Sequence, residues 1–266
     1  MTDNERGQVN TRAAEVYEAV FLPALFQEWP PHVMQAADLQ SGHQVLDVAC
    51  GTGVLTRAAA QQVAPTGSAV GVDINAGMLA IAKRQAPHVE WRLAPAESLP
   101  FDDRQFDVVV SQFGLMFFAD RQQSIREMMR VLRSGGRLAV AVWDTLDNTP
   151  GYAAMARLLQ RLFGAEVAQA LYAPYNLGDR AELQAVFARA GVPDVKIETR
   201  TGTARFPSIQ DWVYTDIKGW TLAEVLDDAQ FERLQIEAER ALQPFVTAGG
   251  TVAFDAPAHI VSATKM

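Results

Sequence analysis

The chain holds one cysteine and four histidines in 266 residues. A single thiol excludes a disulfide within the chain and leaves no thiolate set for a metal centre, so no metal is expected. Basic residues are also in deficit. Against 31 Asp and Glu stand 23 Lys and Arg, a net charge of −8, and no basic stripe is present to displace phosphate counterions. That argues against nucleic acid as a partner and for a small molecule. No apolar run approaches the roughly 18 residues that a membrane span needs, and the opening M-T-D-N-E-R-G is polar; a cytoplasmic location without a membrane span is the expectation. What the chain has in quantity is apolar bulk, 49% of residues, enough for one domain with a full core and insertions.

The most informative stretch is Val45 to Gly53, V-L-D-V-A-C-G-T-G, followed after a helix-length gap by Ala69-Val70-Gly71-Val72-Asp73-Ile74. Val45, Leu46 and Val48 form a two-sided apolar run suited to a parallel strand covered on both faces. Gly51 and Gly53 remove Cβ atoms where the chain turns into a helix over 54–63, so a ligand can approach the backbone. Asp73 stands 20 residues after Gly53, at the end of the next strand, where a carboxylate can accept hydrogen bonds from both hydroxyls of a ribose. A third glycine is missing: the series Gly51, Gly53 continues to Thr56, so the pattern departs from a dinucleotide fingerprint and disfavours a nicotinamide oxidoreductase. Asp47 agrees, because it would sit poorly beside a pyrophosphate and well beside an ammonium group.

Apolar spacing and turn residues predict an α/β fold, a doubly wound and mostly parallel sheet. Strands are expected near 44–49, 68–73, 88–93, 106–111 and 136–143, then an edge strand over 195–203 and a last strand over 259–264. Residues 1–40 read as a helical lid, 41–146 as the cofactor-binding core and 147–178 as a helical insert stopped by Gly164. The stretch 179–266 returns to the sheet, with two inserted helices at about 208–243. The helix after Asp120 is expected to end at a Gly135-Gly136 cap, Asp179 to cap a helix, and Ser208/Asp211 and Thr221/Glu224 have capping-box spacing.

Five blocks in order, V-L-D-V-A-C-G-T-G (45–53), G-V-D-I-N (71–75), A-E-S-L-P-F (96–101), F-D-V-V-V-S-Q-F-G-L-M-F-F (106–118) and V-L-R-S-G-G-R-L-A-V (131–140), resemble the class I S-adenosylmethionine-dependent methyltransferases, in particular the small-molecule group similar to ubiquinone/menaquinone-biosynthesis enzymes. The resemblance covers residues 17–143 closely and the remainder loosely. It implies a seven-stranded Rossmann-like sheet whose last strand is antiparallel, and S-adenosylmethionine as cofactor with S-adenosylhomocysteine as product. It implies a cofactor site of Asp47, Ala49, Gly51, Gly53, Asp73, Ile74, Ala96, Glu97, Ser111 and Gln112. Pro95 stands where many relatives carry an acidic or amide residue toward the adenine, which leaves that contact to the backbone of Ala96 and Glu97.

The substrate pocket is expected at Tyr17, Trp29, Phe113, Phe117 and Phe118. Further aromatics in the inserts, Tyr172, Tyr175, Trp212, Tyr214 and Trp220, suit a flat, mainly apolar acceptor such as a phenol or quinol, with oxygen ahead of carbon or nitrogen as the methylated atom. No Ser-His-Asp set appears, and methyl transfer needs alignment more than acid–base work. His43 and His88 precede strands and so lie at the wrong end of the sheet. His32 and His259 are the two candidates for a base. The alternative function is a non-catalytic protein binding S-adenosylmethionine or S-adenosylhomocysteine on the same fold. Nothing in the sequence fixes the acceptor or the oligomeric state.

Overall fold

A computed structural model describes residues 11–218 and 226–266. Its sheet has seven strands: β1 Gln44–Val48, β2 Ser68–Asp73, β3 Glu90–Leu93, β4 Phe106–Gln112, β5 Leu132–Trp143, β6 Lys196–Phe206 and β7 Val252–Thr264. They lie in the order 3-2-1-4-5-7-6. β1 to β5 are parallel, and β7 runs antiparallel to both β5 and β6. Chain order reverses between β1 and β4, which opens a crevice at their carboxyl ends.

The helices are α1 Thr11–Val16, α2 Pro30–Ala36, α3 Val54–Val63, α4 Ala76–Gln85, α5 Arg121–Val131, α6 Pro150–Phe163, α7 Ala165–Gln169, α8 Arg180–Arg189, α9 Ile209–Lys218 and α10 Asp228–Ala241. A π-helix, Tyr17–Phe26, continues α1. Pro23 lies within it, and a five-residue bond closes its end, Gln27 N–H to the Leu22 carbonyl at 2.9 Å. Short polar side chains start five of the other helices, α4, α5, α8, α9 and α10. Asn75, Asp120, Asp179 and Asp227 each accept a backbone N–H from the first turn. The Ser208 hydroxyl does the same for Asp211. The expected Thr221/Glu224 start lies outside the described residues, as does Trp220; the described helix α10 begins instead at a capping box of Asp227 and Gln230.

Two boundaries differ from the sequence reading. Gly135 and Gly136 do not cap α5, which stops at Val131; they lie in an irregular start of β5, where the pairing with β4 shifts register between Phe106 and Val108. Gly135, at φ +79°, donates its N–H to the Lys265 carbonyl. Strand β7 begins at Val252 rather than at His259. The apparent start came from Pro257, which cannot donate to a ladder. β7 tolerates it because β5 pairs with β7 only as far as Ala258, and beyond that point β7 pairs with β6 alone.

Candidate active site

At the exit of β1 the backbone enters the left-handed region three times, at Ala49 (φ +58°), Gly51 (+56°) and Gly53 (+87°). An alanine there is strained, and such strain collects at functional sites. A Cβ placed on Gly51 would meet nothing within 4 Å, so this turn faces open space, while one on Gly53 would strike the Trp91 indole at 2.3 Å. Asp73, 9% exposed, closes the turn from β2: one carboxylate oxygen accepts the Gly51 N–H at 2.8 Å and the other the Asn75 N–H at 2.7 Å. Burial pushes its pKa up, and the N–H bonds of Asn75, Gly51 and Ile74 oppose that. With three backbone N–H groups on it, at least one of its four lone-pair positions remains for another donor.

Asp47 lies beneath the same turn, fully buried. One of its oxygens accepts the Thr56 hydroxyl at 2.6 Å, and the other, Oδ1, has no partner. Burial raises its pKa to about 7 against the lowering effect of Thr56. Across the crevice, at the end of β4, Ser111 Oγ and Gln112 Oε1 are also buried without partners, and Phe113 is again left-handed at φ +57°. Buried polar atoms are normally satisfied, so this cluster of orphans around an open glycine turn marks a place for a polar ligand. A group with an ammonium, a carboxylate and a ribose fits such a donor and acceptor set.

On the other side of Asp73, Ile74 and Leu93 are 53% and 61% exposed, at the carboxyl ends of β2 and β3, with Leu93 in register with Asp73. Two exposed aliphatics there could flank a flat ring; the sequence reading named only Ile74. Ala96 is buried. Glu97 turns away: its Oε1 accepts the N–H groups of Ala119 and Asp120 at 3.0 and 3.2 Å and fixes the approach to α5.

A second cavity opens beyond β5. It encloses about 550 Å³ including its mouth, and is lined by Phe21, Leu25 and Phe26 of the π-helix, Trp143, Tyr152 of α6, the turn 170–175, Asp216 of α9 and Ala256 of β7. The two spaces share a wall. Tyr17 rests on Phe26, with ring centroids 5.2 Å apart, and its phenol is pushed up by burial and by the carboxylates of Glu18, Asp73 and Asp47. Gln112 Nε2 donates to the Phe26 carbonyl at 3.2 Å. Glu18 pairs with Arg57 at 3.1 Å, and Arg57 donates to the Thr52 carbonyl within the glycine turn.

Among the residues expected to contact substrate, Tyr17 stands in this wall, and the others do not line the cavity. Trp29 is fully buried, edge-on to Phe113 and Trp143, so it is a core residue. Phe113 stacks on Trp143 at 3.9 Å and backs the cavity from behind. Phe117 and Phe118 are half-buried against the core. Of the other aromatics only Tyr175 lines it; Trp212 is buried and Tyr172 and Tyr214 are exposed.

Neither histidine reaches either space. His259 is mid-strand and 2% exposed, its Nε2 2.8 Å from the Gly178 carbonyl and 3.3 Å from Asp144, its Nδ1 2.9 Å from the Thr199 hydroxyl. With both nitrogens engaged it is a structural tie. His32, on α2, packs edge-on to Trp29. What the sequence reading missed was Asp216. A sequence signal existed: an aspartate on the same α9 face as Trp212, Val213 and Ile217, all buried.

An open sheet with this strand order, a glycine turn after β1 and a carboxylate after β2, defines a Rossmann-like cofactor-binding class. The family described as "Methyltransferase domain" matches residues 46–140. The demethylmenaquinone methyltransferase of Staphylococcus carnosus is 31% identical over 188 residues, 65% of this chain and 78% of its own length. The ubiquinone/menaquinone biosynthesis C-methyltransferase of Hahella chejuensis is 40% identical over 126 residues, 45% of this chain and 51% of its own length. Of that second relative and others like it the chain spans about half. Among solved structures, the phosphoethanolamine N-methyltransferase 2 of Haemonchus contortus aligns with a TM-score of 0.63 at 16% identity, covering 100% of this chain and 60% of that one. The YcgJ protein of Bacillus subtilis aligns at 0.59 and 19%, covering 90% and 98%. The chain belongs to the S-adenosylmethionine-dependent methyltransferases, and is similar within them to the ubiquinone/menaquinone-biosynthesis group.

Proposed function

We propose that this chain transfers a methyl group from S-adenosylmethionine to a flat, mainly apolar, hydroxylated aromatic acceptor of the phenol or quinol class. The observation that carries the reading is the aromatic cavity beyond β5, which shares the Tyr17–Phe26 wall with the polar crevice at Gly51. In this reading the free acceptor position of Asp73 takes a ribose hydroxyl, and the unpartnered oxygens of Asp47, Ser111 and Gln112 face the amino-acid end. Ile74 and Leu93 flank the adenine. When bound, S-adenosylmethionine supplies a methyl group already activated on a sulfonium. The protein's part is to align the acceptor and keep water out, which the rings of Phe21, Phe26, Trp143 and Tyr175 do by covering the cavity with apolar surface. No histidine takes part.

One relative is named a demethylmenaquinone methyltransferase and another a ubiquinone/menaquinone biosynthesis C-methyltransferase, which supports the acceptor class. Oxygen stands first as acceptor atom here, carbon or nitrogen next. No helix among the described residues is long and apolar enough to cross a membrane. Incubation with methyl-labelled S-adenosylmethionine and a panel of phenols and quinols tests the reading, and product spectroscopy separates O- from C-methylation. Donor binding without transfer to any member of the panel would favour the non-catalytic alternative.

A further inference from the structure

Among the described residues, the cavity beyond β5 is lined mainly by apolar and aromatic side chains. Among the described side chains that line it, Asp216 is the one carboxyl, and it is 6% exposed. It stands on the α9 face that otherwise packs Trp212, Val213 and Ile217 into the core. One carboxyl oxygen, Oδ1, accepts the Tyr152 hydroxyl at 3.2 Å; the other, Oδ2, is buried and makes no hydrogen bond, and the Trp212 indole N–H one turn away on α9 is likewise unpartnered. An unsatisfied buried carboxyl oxygen is costly, and the Tyr152 ring that holds the other oxygen is itself fixed edge-on to Trp212 and Phe254.

Resting on the acceptor class proposed above, we propose that Asp216 is the polar anchor of the acceptor, taking at Oδ2 the hydrogen bond of an aromatic hydroxyl while Tyr152 holds Oδ1. The donor count selects the ligand. A phenolic hydroxyl brings one donor to one orphan acceptor, whereas an ammonium would bring three and leave two unmet in apolar surroundings. Burial pushes the Asp216 carboxyl up to about 7, while the Trp212 indole and the Tyr152 hydroxyl pull the other way. The other titratable groups facing it, Tyr152 from α6 and Tyr175 from the turn at 170–175, are both raised well above the usual tyrosine range, by burial first, and stay neutral. A hydroxyl donates more strongly to a carboxylate than to a carboxylic acid, so the anchor strengthens as pH rises through this region.

The test compares two probes of like shape, 1-naphthol and 1-methylnaphthalene, binding by calorimetry to the full chain saturated with S-adenosylhomocysteine. Expected at pH 8 is an advantage of about tenfold or more for naphthol, declining toward pH 6. Asp216→Leu should bring naphthol down to the level of methylnaphthalene and leave methylnaphthalene unchanged. Asp216→Asn, should the leucine variant fail to fold, keeps an acceptor oxygen and should keep part of the advantage without its pH dependence. Equal binding of both probes by the unaltered protein would overturn the anchor and spare the acceptor pocket. Binding of neither would overturn the pocket reading and the anchor with it. An Asp216-dependent preference for 1-naphthylmethylammonium over naphthol would overturn the hydroxyl in favour of a cation.

Discussion

The crevice at Gly51 and the cavity at Tyr152 lie on two sides of one wall and are built in opposite ways. The crevice is made by backbone: left-handed residues, strand ends, and carboxylates tied to N–H groups within one stretch of chain. The cavity is made by side chains drawn from Phe21 to Ala256, with no backbone motif common to them. Yet each contains a buried carboxyl raised to about 7 with one oxygen unpartnered, Asp47 in the first and Asp216 in the second. A rigid, local site suits a ligand that does not vary. A site assembled from loops and inserts can be recut for each acceptor without disturbing the first.

The largest test of this symmetry is pH. Both carboxyls hold their proton more tightly folded than unfolded, so between about pH 4 and 7 the unfolded chain binds fewer protons and stability falls as pH rises. Each group contributes up to roughly 4 kcal/mol to that fall, three pKa units at about 1.4 kcal/mol apiece. Denaturant unfolding at pH 5 and pH 8 should show the loss, and Asp47→Asn and Asp216→Asn should each remove a comparable share. A flat profile in the unaltered protein would mean that neither carboxyl is as dry as its burial indicates.

Next in size is His259, which belongs to neither site. His259→Ala leaves Asp144, the Thr199 hydroxyl and the Gly178 carbonyl short of a partner and should cost roughly 3 kcal/mol of stability. Turnover of the folded fraction should stay within about twofold, whereas loss of a general base costs about 100-fold or more. A fall of that second order in a folded variant would restore a catalytic histidine.

Asp73→Ala sharpens the contrast between the two ligands. It should weaken S-adenosylmethionine binding by about 2 kcal/mol, near thirtyfold, with methylnaphthalene binding unaffected. Equal losses for both would show that the shared wall, and not the carboxylate, had been damaged. The smallest expected effect is that of a chelator: no group of His, Cys, Asp and Glu among the described residues is placed to hold a metal, and turnover should survive chelation. Inhibition reversed by magnesium would break the comparison at its acceptor side.

The same difference in construction explains what could be read in advance. The first strands and the turn between them were legible because Gly51, Gly53 and Asp73 act through local rules, glycine where φ is positive and a carboxylate at a strand end, while the antiparallel last strand came from the family resemblance. Leu93 escaped because a four-residue strand gives no period to show which end is bare. The cavity was not legible. Trp29 and Trp212 have the composition of pocket aromatics and the burial of core, and only packing between distant segments decides which. Tyr152 and Asp216, 64 positions apart, meet only after the sheet has closed. His259 was misplaced through Pro257, whose missing donor lies on the β5 side: its carbonyl accepts there from Asp144, past the last pair of the ladder.

The wall itself carries a consequence for traffic. Tyr17, beside the carboxylates of the crevice, and Phe21, Leu25 and Phe26, lining the cavity, belong to one ten-residue π-helix, pinned to the glycine turn by Glu18 and Arg57 and to β4 by Gln112. A displacement of that segment large enough to widen one compartment widens the other. If donor and acceptor occupy the two spaces as proposed, they share a single partition, and a substitution that loosens it, such as Glu18→Ala, is expected to shorten the residence of both.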